Sequence, residues 1–225
     1  MTIFLLGMAV LTAGGALAFA LRQAPRAAGI LGAGSAFAGS ALALWPSVTA
    51  LLMGARETFE AAWEMPFGAI RIELDPLSGL FLIPILALTA LAAMYGHGYL
   101  KPRTGDTDER GQRHGRQQGP DGAGPSRAAT SWLCFNLLAV SMAGVVVARN
   151  ALLFLAAWEV MALSSFFLVA YESDKAQVRR AAWTYLIATH LGTAFVLAMF
   201  LILGAKTGSL DFGSFARADL SPTLA

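Results

Sequence analysis

Charged side chains are scarce in this chain. Asp, Glu, Lys and Arg make up 13% of its 225 residues, whereas 56% of the residues are hydrophobic. Soluble domains typically carry about 25% charged residues, so the composition excludes an ordinary soluble domain and favours an integral membrane protein. The net charge is only +2, which is too small to indicate a nucleic-acid partner.

Cysteine is almost absent as well. The single cysteine, Cys134, lies within an apolar run, where a packing role is expected. One cysteine excludes a disulfide framework and a multi-cysteine metal site within the chain. Because no nucleotide-binding or metalloenzyme motif is present either, we expect this chain to bind no cofactor or metal of its own.

The chain has instead several apolar runs that are long enough to cross a bilayer. They predict an all-α integral membrane protein with six transmembrane helices. The six runs lie at about residues 1–21, 28–53, 76–95, 129–148, 151–171 and 180–203.

Two connecting segments differ sharply in character. Residues 54–75 end in an alternating stretch, 67–74, which predicts a short extracytoplasmic strand or hairpin. Residues 101–127 are rich in Gly, Arg, Gln, Asp and Pro, which is typical of a disordered linker. A solvated tether and a segment that touches anionic lipid are the two interpretations of this linker. The predicted organisation is helices one to three in 1–100, the linker in 101–127, helices four to six in 128–203 and an extracytoplasmic tail in 204–225.

Lysine and arginine are divided unequally between the two sets of loops. Of the 16 in the chain, eleven fall on one side and five on the other. The richer side is cytoplasmic by the positive-inside rule, so both termini are expected outside, in a multi-pass protein of a bacterial inner membrane. The richer set is Arg22, Arg26, Lys101, Arg103, Arg110, Arg113, Arg116, Arg127, Lys175, Arg179 and Arg180; the poorer set is Arg56, Arg71, Arg149, Lys206 and Arg217.

A carboxylate lies inside the fifth run. Glu159 is preceded and followed by apolar residues throughout 151–163. A charge near the bilayer centre costs roughly 2.5 kcal/mol or more, and such residues usually face a bundle interior or a wet cavity. Glu159 is therefore the first candidate functional residue.

The sixth run carries a polar stripe. Tyr185, Thr189 and Thr193 recur every four residues and share one helix face, and His190 flanks it. At 1.5 Å per residue, Glu159 lies about 12 Å from the outer side and His190 about 14 Å from the inner side. Across a core about 30 Å thick, the two side chains are expected within about 4 Å of the same depth.

A carboxylate and an imidazole at one depth can exchange a proton, because histidine gains and loses protons near neutral pH. Glu159 and His190 are thus predicted to form a proton relay, with a structural pair that pins two helices as the alternative. Ser164 and Ser165 are further candidates for polar lining, unless their hydroxyls bond to their own helix. The complete set of lining candidates is Ser164, Ser165, Tyr185, Thr189 and Thr193.

The run from Asn150 to Val169, with Trp158-Glu159 at its centre, resembles the antiporter-like membrane subunits of complex I, Mrp antiporters and energy-converting hydrogenases. The entry to the third helix, Leu74-Asp75-Pro76-Leu77-Ser78, fits the same superfamily. The segment from Tyr185 to Thr193 looks most like the antiporter-like subunit of hydrogenase-4, also called formate hydrogenlyase subunit 3. Nearly the whole chain outside 101–127 shares the resemblance.

The resemblance implies a part in coupling electron transfer to proton transport. Glu159 matches the fifth-helix glutamate of the family, which pairs with a lysine on a broken seventh helix, and His190 falls where relatives carry a basic residue. Family members have about fourteen helices, so six helices are expected to be an N-terminal portion or one product of a split gene. Redox centres would lie in partner subunits, as iron–sulfur clusters with nickel as a further candidate. An Mrp-type sodium/proton antiporter subunit and a non-conducting scaffold remain as alternatives.

Overall fold

The computed structural model describes residues 1–61, 70–99 and 125–216. Within these ranges, six helices are long and apolar enough to span a bilayer, which confirms the predicted all-α membrane architecture. The elements are α1 (Thr2–Ala20), α2 (Pro25–Met53), β1 (Glu57–Ala61), β2 (Ile70–Leu74), α3 (Pro76–Tyr99), α4 (Pro125–Val147), α5 (Ala151–Val169), α6 (Ala176–Thr207) and the short α7 (Phe212–Phe215).

Several helix boundaries lie three or four residues beyond those read from hydropathy, and two of them fall in segments predicted as linker and tail. Helix α4 begins at Pro125, inside the segment predicted as linker, because proline is well suited to the first turn of a helix. Helix α6 continues to Thr207, into the predicted tail, and ends at Gly208 with a φ of 67°. Glycine adopts this left-handed conformation at little cost, so Gly208 terminates the helix where hydropathy gives no signal. The rest of the linker and residues 217–225 lie outside the described residues.

Helices α1 to α4 form the packed part of the molecule. Two clusters of buried side chains run along it, one around Leu11 and Trp132 and one around Phe4 and Leu82. Many of the buried residues are alanine and glycine. In lipid, small residues let helix backbones approach closely, and the resulting dispersion contacts hold the helices together.

Helices α1 and α2 approach each other closely at a pair of glycines. A Cβ atom on Gly7 would lie 2.7 Å from the carbonyl oxygen of Gly39, and one on Gly39 would lie 2.8 Å from that of Gly7. Both separations are too short for real atoms, so each position requires glycine. Gly34 differs, since a Cβ atom there would meet nothing within 4 Å.

One buried amide joins α2 to α4. Asn136 is fully buried; its Nδ2 donates to the carbonyl oxygens of Gly32 at 3.1 Å and Trp132 at 2.9 Å. The Ser35 hydroxyl donates to its Oδ1 at 3.4 Å. A satisfied polar group of this kind fixes the relative rotation of the helices it joins.

Two short strands lie where α2 ends and α3 begins. They pair antiparallel, with Glu57 opposite Leu74, and Ile72 of β2 also bridges Ala148 beside the α4–α5 turn. The alternating stretch 67–74 predicts a strand, and its described part forms β2. We call this end of the bundle the hairpin face. The opposite end, with the turns at 21–24 and 170–175, is called the linker face.

Helices α5 and α6 are packed far more loosely than the others. In the most apolar window of each of α1 to α4, 33–39% of residues are buried, against 11% in α5 and 6% in α6. Helix α5 lies against α4, and α6 lies against α5. A mostly apolar outer surface of α5 and α6 is therefore left for lipid or for another membrane segment.

Candidate functional site

Glu159 lies on α5, in the middle of the loosely packed pair of helices. The helix begins at Ala151 after Asn150, whose side-chain oxygen accepts a hydrogen bond from Leu152 N at 2.8 Å. This N-cap satisfies a backbone N–H that the first turn would otherwise leave unpaired. Glu159 is eight residues further on, about 12 Å along the axis.

The structure brings Glu159 and His190 together. His190 Nε2 lies 3.7 Å from Glu159 Oε2, with 49% of the His190 side chain and 36% of the Glu159 side chain exposed. The expected match in depth is therefore present in the geometry. The separation suits an ion pair but exceeds a hydrogen bond, which needs about 3 Å.

A second contact determines which nitrogen of neutral His190 carries the proton. His190 Nδ1 lies 2.9 Å from the Leu186 carbonyl oxygen, and a carbonyl oxygen can only accept. Nδ1 therefore carries a proton, and in a neutral imidazole Nε2 is the unprotonated nitrogen. This arrangement points the basic nitrogen of His190 at Glu159.

Immediately beside the pair, Trp158 is hydrogen-bonded to α6. Its indole Nε1 donates to Thr193 Oγ1 at 3.1 Å, and the Thr193 hydroxyl donates in turn to the Thr189 carbonyl oxygen at 3.0 Å. The Trp158 ring also stacks on Phe154, with 5.8 Å between ring centroids. The sequence identified Thr193 as polar but gave no sign that Trp158 was its partner.

The other lining candidates are placed differently. The Thr189 hydroxyl donates within its own helix, 3.0 Å from both the Tyr185 and the Leu186 carbonyl oxygens. At 100° per residue, Ser164 is rotated about 140° from Glu159 on α5 and Ser165 about 120° the other way. Ser164 therefore lies on a different face from Glu159 and is buried, with 4% exposure. Ser165 lies seven residues after Trp158 and within about 20° of it, on the face that contacts α6, about 9 Å along the axis from Glu159.

No group of three or more His, Cys, Asp or Glu side chains suited to a metal ion occurs in the described part of the chain. Glu159 and His190 together supply two ligand groups, fewer than a structural or catalytic zinc site uses.

A polar cluster that sequence reasoning missed fixes the start of α5 at the hairpin face. Arg149 Nε lies 3.2 Å from Glu73 Oε2, and Arg149 Nη2 lies 2.9 Å from Asp75 Oδ2. Nη2 also donates to the Ser78 hydroxyl at 3.3 Å. We call Arg149, Glu73, Asp75 and Ser78 the hairpin-face clamp; the three charged side chains are 18–23% exposed.

Asp75 has two roles in the clamp. It caps α3, because its Oδ1 accepts from Ser78 N at 2.7 Å. Partial burial raises the pKa of the Asp75 carboxyl, but hydrogen bonds from Ser78 and the charge of Arg149 outweigh burial and hold that pKa below its usual range. The folded chain therefore stabilises the ionised carboxylate.

The clamp continues into the segment after α6. Asn150 Nδ2 donates to Asp211 Oδ1 at 3.1 Å, and Ala151 N donates to the Leu210 carbonyl oxygen at 2.9 Å. The start of α5 and the segment that follows α6 are thus joined at one point. This junction sets where each helix enters the bundle, and hence the depth of Glu159 and His190.

Relatives of this chain in sequence and in structure identify its family. Residues 148–223 match the family model described as NADH:quinone oxidoreductase/Mrp antiporter, transmembrane. Hydrogenase-4 component B of Escherichia coli (strain K12) is 30% identical over 159 residues, which is 71% of this chain and 20% of that protein. The chain belongs to the antiporter-like superfamily of membrane subunits. An uncharacterised protein of Mycobacterium tuberculosis (strain ATCC 25618 / H37Rv) is 31% identical over 192 residues, or 85% of this antiporter-like chain and 26% of the relative.

Chains of two solved membrane complexes have the same fold. A chain of the membrane-bound sulfane sulfur reductase, an archaeal respiratory membrane complex, aligns with a TM-score of 0.74 and 17% identity, over 100% of this chain and 41% of that one. A chain of the Mrp complex from Dietzia sp. DQ12-45-1b aligns with a TM-score of 0.70 and 22% identity, over 96% of this chain and 21% of that one. The antiporter-like chain spans 20–26% of the length of its Escherichia coli and Mycobacterium tuberculosis relatives.

Proposed function

We propose that this antiporter-like chain is the N-terminal part of a proton-translocating subunit in a hydrogenase-4, formate hydrogenlyase or NADH:quinone oxidoreductase-like complex. The observation that carries the proposal is the Glu159–His190 pair, 3.7 Å apart on two membrane-spanning helices. The similarity to hydrogenase-4 component B supports the choice of complex.

The chemistry of the pair is a reversible proton transfer. A proton on Glu159 Oε2 moves to His190 Nε2, which leaves a carboxylate and an imidazolium. The imidazolium then passes the Nε2 proton to a water molecule, and Glu159 regains a proton from a second water molecule. The transfer needs the two atoms to approach from 3.7 Å to about 3 Å. A small side-chain rotation in the loosely packed α5–α6 pair provides this approach.

Partner subunits follow from the same proposal. The two structural relatives are parts of multi-subunit membrane complexes, and the outer surface of α5 and α6 supplies an apolar area for membrane neighbours. On this proposal, iron–sulfur clusters, and nickel in a hydrogenase, would be carried by those partners. The chain itself would then contribute ion movement and no redox step.

The expected orientation places the hairpin face outside and the linker face in the cytoplasm, following the lysine and arginine distribution. A cysteine introduced at position 110 should react with an impermeant maleimide only when the cytoplasmic side is accessible. Reaction exclusively from the outer side of intact cells would reverse this topology.

The proposal is tested by Glu159→Gln in the complete complex, reconstituted in liposomes. This change keeps the shape and a hydrogen-bonding amide but removes the titratable acid, so proton flux per electron transferred should fall while the subunit assembles normally. Glu60→Gln is the matched control, because Glu60 is an exposed carboxylate on β1 paired with Arg71. Normal flux in an assembled Glu159→Gln complex would refute the relay.

An Mrp-type antiporter subunit is the second candidate, and its support is the fold shared with the Mrp complex together with the family match. The sodium dependence of the proton flux distinguishes the antiporter from the hydrogenase-type complex. Proton flux that requires sodium on the opposite side would favour the antiporter, whereas flux that follows electron transfer without sodium would favour the hydrogenase-type complex. A chain that assembles but affects neither flux would be a scaffold.

A further inference from the structure

We infer that Trp158 is a positioning residue, which holds Glu159 within reach of His190 through its hydrogen bond to Thr193. The inference rests on the proposed relay for its functional meaning, although the geometric part can be tested separately. Trp158 and Thr193 do not touch the transferred proton. They set the distance and rotation of the two side chains that do.

The need for a positioning contact comes from the loose packing of the helices. Only 6% of the apolar window of α6 is buried, so neighbouring helices do little to fix its rotation. Two aromatic contacts join α5 to α6: Phe166 lies 6.1 Å from Trp183 and Phe154 lies 5.6 Å from Phe200, measured between ring centroids. These contacts hold the two ends of the pair of helices.

The centre is held by the Trp158–Thr193 hydrogen bond. Trp158 adjoins Glu159 directly, and Thr193 is one turn from His190, about 4.5 Å along the axis. The aromatic contacts are further away, about 10 Å from Glu159 at Phe166 and about 15 Å from His190 at Phe200. Of these contacts, the hydrogen bond is therefore the nearest to Glu159 and His190 and constrains their relative position most directly.

Both partners of this hydrogen bond are also held in place by a second contact of their own. The Thr193 hydroxyl accepts from Trp158 Nε1 and donates to the Thr189 carbonyl oxygen, so its rotamer is fixed by the α6 backbone. The Trp158 ring is fixed by stacking on Phe154. An indole N–H in apolar surroundings strongly prefers a partner, which makes this orientation of α5 against α6 the favoured one.

Three variants test the contact. Thr193→Val removes the hydroxyl and keeps the side-chain shape, Trp158→Phe removes the N–H and keeps an aromatic ring, and Thr193→Ser restores the hydroxyl. Thr184→Val is the matched control, since the Thr184 hydroxyl donates to the Arg180 carbonyl oxygen on the same helix. Should Trp158→Phe fail to fold, Thr193→Val addresses the same bond with a smaller change.

In the complete reconstituted complex, Thr193→Val and Trp158→Phe should each slow proton flux roughly fivefold, the factor equivalent to one typical net hydrogen bond. Thr193→Ser and Thr184→Val should have near-normal flux. In a His190→Gln background, Thr193→Val should cause no further loss, because both changes act on one pathway. A purely structural contribution would instead lower assembly in both backgrounds.

A second readout does not depend on flux. The infrared stretching band of the Glu159 carboxyl group, assigned by its loss in Glu159→Gln, should shift in Thr193→Val and Trp158→Phe but stay in place in Thr184→Val. An unchanged band in both bond-breaking variants would overturn the positioning role. If Glu159→Gln conducts normally while the band still shifts, the proposed relay fails and the positioning geometry stands.

Discussion

Replacing Arg149 should be the most damaging single change at the hairpin face. Arg149→Ala removes both ion pairs of the clamp and the hydrogen bond to Ser78, and it leaves Glu73 and Asp75 as partly buried negative charges without their shared cation. Breaking a fully buried pair costs about 3–5 kcal/mol. Because the clamp side chains are 18–23% exposed, water recovers part of this, and we expect a loss of about 2–3 kcal/mol.

The assay is equilibrium unfolding of the detergent-solubilised protein, followed by circular dichroism. Arg71→Ala is the matched control, because Arg71 pairs with Glu60 at 3.0 Å on the same hairpin, but with side chains 46% and 57% exposed. An exposed pair of this kind contributes about 0–1 kcal/mol. Arg149→Lys should fall between the two, since a single ammonium lacks the guanidinium fork that reaches both carboxylates. Equal losses in Arg149→Ala and Arg71→Ala would refute the clamp as a buried electrostatic element.

Asp75 and the glycines of α2 provide two further tests. Asp75 has a lowered pKa when folded, so its contribution to stability is complete above the unfolded value of about 3.9 and is lost as pH falls through the lower folded value; Asp75→Asn should flatten the stability–pH curve in this acid range, and an unchanged slope would contradict the assignment. Gly39→Ala should destabilise the α1–α2 contact by about 1–3 kcal/mol through overpacking, whereas Gly34→Ala, which meets nothing within 4 Å, should be neutral or slightly stabilising in the same unfolding assay.

The six helices could be predicted because apolar run length alone determines which segments cross a bilayer. Their ends were less predictable, since helix termination depends on local backbone chemistry. Hydropathy falls near residue 203, but the α6 backbone continues until Gly208 adopts a positive φ. Similarly, Pro125 opens α4 within a polar segment, which composition alone would assign to the linker.

The hairpin-face clamp could not be predicted from the sequence, for a different reason. Asp75 could be predicted as a helix cap because the cap and the first turn of α3 are adjacent in sequence, and the structure confirms it. Arg149 is 74 residues away from Asp75. Only the antiparallel packing of α3 against α4, together with the strand bridge to β2, brings its guanidinium to these carboxylates.

At the candidate site, the depth of a residue along its helix could be predicted from the sequence, but its rotation about the helix axis could not. Depth follows from counting residues at a fixed rise, so Glu159 and His190 could be placed at one level from the sequence alone. Rotation about the helix axis does not follow from counting, because it is set by the tertiary contacts of each helix. A shift of one residue changes depth by only about 1.5 Å but changes direction by about 100°. Ser164 therefore had a plausible position along α5 yet is buried on a different face from Glu159, while Trp158, an ordinary apolar residue in the sequence, reaches Thr193.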